Sequence, residues 1–87
     1  MRFLVETAFR QMPTPEMLAL IPAETEHGKM LDEQGIREQL YIAADVSRAW
    51  QVFRAGSAAE AEAIAASFPL APFVDAKITP LADSPAA

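Results

Sequence analysis

The alternation of apolar and polar positions changes period several times along the 87 residues, and each change marks an element. Arg2 to Thr7 reads Arg-Phe-Leu-Val-Glu-Thr, whose β-branched and aromatic content predicts a short strand. Met12-Pro13-Thr14-Pro15-Glu16 breaks it and starts a helix. Thr14 can cap, Pro15 fits the first helical position, and Glu16 suits the positive end. That helix should run to about Gln34 and stop at Gly35, with Pro22 kinking or splitting it. Ile36 to Ala44 predicts a second strand and Ala49 to Ala55 a third, joined by Asp45-Val46-Ser47-Arg48. Ser57-Ala58-Ala59-Glu60 is a capping box that opens a second helix to about Ser67. Phe73 to Thr79 predicts the last strand, closed by Pro80.

The order is β-α-β-β-α-β, an α+β, ferredoxin-like arrangement. Right-handed crossovers place two helices on one face of a four-stranded antiparallel sheet and leave the other face bare. If Ala44 pairs with Ala49, Leu40 lies opposite Phe53 and Tyr41 opposite Val52. One face then carries Ile36, Leu40, Ile42 and Phe53. The other carries Arg37, Gln39, Tyr41, Trp50, Val52 and Arg54, polar at its edges and aromatic at its centre. Such a face suits an interface better than water.

The first helix carries the most informative local signal. At about 100° per residue, Met17, Leu20, Ile21, Gly28 and Leu31 form one stripe, and Glu24 falls in its middle. A carboxylate on an apolar stripe is costly unless paired or hydrated. Desolvation there raises its pKa toward the range of a general acid or base. His27, three residues on, borders the stripe within side-chain reach. Gly28 would open space beside them for a ligand. The competing reading is structural: Glu24 pairs with a strand arginine, or Pro22 turns it toward water.

Composition narrows the classes. Alanine supplies 18 of the apolar residues, so the core of so short a chain is thin. A second copy of the chain is the simplest supplement. A net charge of −5 without a basic block argues against nucleic acid. The chain lacks cysteine and has one histidine, so a Glu24–His27 metal site lacks an evident third ligand. No apolar run approaches a membrane span, and no signal-peptide pattern opens the chain. These features predict a cytoplasmic protein with a single domain over 1–81 and a loose tail over 82–87.

The C-terminal half carries a resemblance. Trp50-Gln51-Val52-Phe53, Ser57 with Glu60, Ser67-Phe68-Pro69-Leu70-Ala71-Pro72-Phe73 with Asp75, and Ile78-Thr79-Pro80-Leu81 together resemble the muconolactone delta-isomerase family. Upstream, Met1 to Val5 and a Glu24, Leu31, Gly35 spacing match loosely. The resemblance implies a ferredoxin-like fold whose sheets pair into a dimeric α+β barrel, with larger rings in some members. It implies migration of a double bond in a butenolide ring by removing and returning a proton, without metal or organic cofactor. On that reading Glu24 would shuttle the proton and His27 would assist or orient it. Tyr41, Trp50 and Arg37 would line or anchor the pocket of a small lactone- or carbonyl-containing molecule. Two alternatives use the same barrel: a non-catalytic small-molecule-binding or accessory protein, and a cofactor-free monooxygenase with an aromatic-lined pocket.

Overall fold

The computed structural model describes residues 1–82. The tail expected over 82–87 therefore lies, beyond Ala82, outside the described residues. The elements are β1 (Arg2–Phe9), α1 (Pro15–Ala19), α2 (Ile21–Glu33), β2 (Arg37–Ile42), β3 (Arg48–Arg54), α3 (Ala58–Ala66) and β4 (Val74–Leu81). A short 3-10 turn, Ala71–Phe73, precedes β4. The sheet is antiparallel throughout, in the order β2-β3-β1-β4. This is the ferredoxin-like order expected, with α2 and α3 on one face.

Local chemistry sets the helix ends. The Thr14 hydroxyl accepts from the Met17 amide, and the chain splits at Leu20 so that Pro22 sits in the first turn of α2. There its missing N–H removes no helical bond. At the far end Gly35 is left-handed, φ 72°. Its N–H donates to the Asp32 carbonyl, and the Ile36 N–H donates to the Leu31 carbonyl. This double bond pattern ends a helix and turns the chain back beneath it, which delivers Arg37 under α2. Ser57 caps α3 by accepting from the Glu60 amide, while Glu60 reaches back to the Gly56 N–H. β4 runs through Pro80 to Leu81 rather than closing at Pro80. An edge strand tolerates the lost donor.

The register of β2 on β3 differs from the expected one by two residues. Leu40 faces Gln51, and Tyr41 faces Trp50. A shift of two keeps each side chain on its face. Arg37 is the exception. A bulge at Glu38 sets Arg37 opposite Phe53, so it lies on the helix-covered face and not with Tyr41 and Trp50. Glu38 instead binds Arg2 across the bare face, 2.6 Å, with Arg54 at 4.0 Å.

Between sheet and helices the side chains shrink row by row. One end of the layer holds Phe3, Phe53 and Pro80 side by side; the middle holds Val5, Gln51 and Ile78; the far end holds Thr7, Ala49 and Ala76. Phe3 and Phe53 are fully buried, and Ala61 of α3 packs against Phe3, where its single methyl lets the helix come close. Phe68 stacks parallel to Phe53 at 6.2 Å. Beyond Phe68 the small row leaves space, and α2 spans it.

Candidate active site

That space is a cavity of about 480 Å³, open on one side. Its floor is Thr7, Ala49 and Gln51, its roof is α2, and its back wall is Phe68 and Leu70. Leu40, Ile42 and Val46 form part of an apolar mouth. Val46 holds φ at 57°, a conformation costly for a β-branched residue. The neighbouring turn is fixed by Asp45, whose Oδ1 accepts from the Ser47 amide and hydroxyl.

Glu24 projects from α2 into this cavity, half-buried. Its Oε1 accepts from the Leu70 N–H, 2.9 Å. Burial pushes its carboxyl above the usual value; the Leu70 N–H and the charges of His27 and Arg37 pull partly back. Glu24 thus neither pairs with a strand arginine nor turns to water.

Arg37 is the second charged group of the cavity, its side chain 11% exposed. Nε and Nη2 donate to the two oxygens of Asp32, 2.7 and 3.0 Å, and Nη1 donates to Gln51 Oε1, 3.1 Å. Gly28 does not open room for a ligand as expected. The guanidinium fills that room: a Cβ at Gly28 would stand 2.7 Å from both Nη atoms.

His27 shares α2 with Glu24 but points to the other side of the α3 end. Its Nε2 lies 2.7 Å from Ser67 Oγ, and its ring meets the edge of Phe68 at 4.8 Å. Ser67 Oγ donates to the Ile64 carbonyl, 2.6 Å, so the serine proton is already committed. Glu24 and His27 therefore grip the same connection, one at Leu70 and the other at Ser67.

Tyr41 and Trp50 do not join this site. They lie on the bare face, with the sheet between them and Glu24, because residues 41 and 50 pair on the opposite pleat to Leu40 and Gln51. Tyr41, 60% exposed, donates to Gln39. Trp50 Nε1–H donates to Glu6, 3.2 Å. Gln51 is the site residue that sequence reasoning missed; its alternation with Phe53 was the available signal. Among the described residues no group of three or more His, Asp and Glu side chains is placed to hold a metal ion. Among the described residues no helix is long and apolar enough to cross a membrane.

Comparison with known proteins matches residues 1–87 to the muconolactone delta-isomerase family. The chain belongs to that family. A crystal structure of muconolactone isomerase superposes with a TM-score of 0.82 at 22% identity, covering 100% of this chain and 94% of the other. A search of curated protein sequences finds no match. The structural likeness establishes the fold.

Proposed function

We propose that this member of the family is a cofactor-independent isomerase-like enzyme that moves a proton on a small lactone- or carbonyl-containing molecule. The observation that carries the reading is Glu24: a desolvated carboxylate, held at one oxygen, inside a cavity of about 480 Å³. That volume suits a small metabolite. The Leu70 N–H fixes Oε1 and leaves Oε2 to meet the substrate. Glu24 removes a proton from a carbon next to the carbonyl, and the electron pair moves onto the carbonyl oxygen as a dienolate. The field of Arg37 favours that negative charge. Glu24, now a carboxylic acid, returns the proton to another carbon of the same ring face, and the double bond has moved. His27, bound to Ser67, steadies the connection that supplies the Leu70 N–H.

The test is Glu24→Gln with a butenolide substrate in deuterated water. A loss of about 10²- to 10⁴-fold in turnover, with deuterium no longer entering the product, is the expected result. Full turnover in that variant would falsify the assignment. Binding to the parent chain without deuterium exchange would instead favour the non-catalytic reading.

We also propose that two copies pair through the bare sheet face. Leu4, Trp50, Val52 and Leu81 lie there half-buried within one chain. Sedimentation of parent and Trp50→Arg should give a dimer and a monomer; a monomeric parent defeats the proposal.

A further inference from the structure

Glu24, Gly28 and Asp32 stand at i, i+4 and i+8 on α2 and so share one helix face. The Arg37 guanidinium lies along that face, in the gap that Gly28 leaves. A guanidinium in such a position has two carboxylates within a helical turn. It forms its ion pair with Asp32, by two hydrogen bonds, and Gln51 takes a third donor from the sheet side. We propose that Asp32 and Gly28 are positioning residues that park Arg37 beside Glu24 without letting the two form an ion pair, so that one carboxylate stays available as a base and the cation stays available to developing charge. The inference rests on the proposed role of Glu24.

The physical logic is a division of labour between two carboxylates. An ion pair between Glu24 and Arg37 would stabilise the carboxylate and weaken it as a base. Asp32 is 47% exposed, so it is solvated and ionised at little cost, and it can hold the cation permanently. The bidentate fork fixes the guanidinium plane as a single contact would not. Gly28 admits the plane against the helix; any side chain there would push it off. The bulge at Glu38 supplies the last condition, since with Glu38 paired in a regular ladder Arg37 would fall one residue further along and leave this face. The other charged residues lining the cavity are Lys29 of α2 and Arg48 of β3, and His27 acts on Glu24 from its own helix. Those lining from β1, α3 and the 3-10 turn carry no charge.

The experiment is a carbon-detected NMR titration of the Glu24 carboxyl in the full chain, which needs no substrate. Asp32→Asn frees Arg37 to turn to Glu24, so the midpoint should fall below that of the parent. Arg37→Gln removes the cation, so the midpoint should rise. In the Arg37→Gln background, adding Asp32→Asn should move nothing, because Asp32 acts through the arginine. Asp32→Glu should restore the parental midpoint. An unmoved or raised midpoint in Asp32→Asn overturns the proposal, and so does an equal fall in the Arg37→Gln background. Should Arg37→Gln fail to fold, the Arg37 Nε–H resonance decides. It should exchange slowly in the parent and Asp32→Glu, and its chemical shift should change in Asp32→Asn; an unchanged resonance refutes the clamp. Because none of these readings involves turnover, a failed Glu24→Gln activity test would remove the enzymatic reading and leave the clamp standing.

Discussion

The two ends of the helix–sheet layer are built from the same three strands and differ mainly in side-chain size. At one end Phe3 and Phe53 fill the space beneath the helices, and both are fully buried. At the other, Thr7 and Ala49 sit beneath α2, and the space is a cavity holding Glu24. The pairing that brings Phe3 beside Phe53 also brings Thr7 beside Ala49, four residues along each strand. Large side chains fill the sheet row at one end, and small ones form the floor of the cavity at the other. The shortage of core that composition implies is thus confined largely to one end.

The comparison can be broken most directly at the packed end. Phe53→Ala should cost about 3 to 5 kcal/mol in urea denaturation, since little can collapse into the gap beneath two helices. A loss under about 1 kcal/mol would mean that the Phe3 end is no better packed than the cavity. The complementary change is Ala49→Leu. It places new methyl groups in open space rather than in a tight core, so stability should stay within about 1 kcal/mol of the parent. Affinity for a cavity ligand should fall at least about tenfold, measured by calorimetry. If Ala49→Leu destabilises as much as Phe53→Ala, the far end is a core and not a site.

The smallest effect concerns the pH dependence of stability. Burial raises the Glu24 pKa in the folded chain, so the folded state binds a proton more readily than the unfolded state. Ionising Glu24 therefore destabilises the fold, and the loss appears as pH rises through the unfolded and then the folded pKa. Glu24→Gln should be the more stable protein at neutral pH. Its advantage should close as pH falls below the ordinary value of 4.5. An advantage that grows toward acid would show that Glu24 is a stabilising ion and not a strained base.

Much of this was legible in the sequence. Strand and helix order followed from period and caps, and Glu24 was found by its place on an apolar stripe, because helix phase is set locally. Tyr41 and Trp50 lie on the bare face, as the alternation suggested with a register two residues off, and so cannot line the pocket as also expected. What was not legible came from contacts between elements. Gly28 gave no sign that a guanidinium from β2 would occupy its gap. His27 gave none that it would reach Ser67, 40 residues on. Arg37 was misplaced because period-two reasoning assumes an unbroken ladder, and one extra residue at Glu38 reverses the phase on one side only.

That single extra residue has an evolutionary reading. Removing Glu38 would set Arg37 directly before Gln39, still opposite Phe53 and facing α2, with every other strand in register. The cavity would keep its clamped cation, and the bare face would lose the glutamate that binds Arg2 and Arg54. A one-codon deletion can therefore change the charge of the bare face while leaving the pocket as it is. Relatives of this fold can diverge in the charge of that face, and keep the pocket, through one small length change at this position.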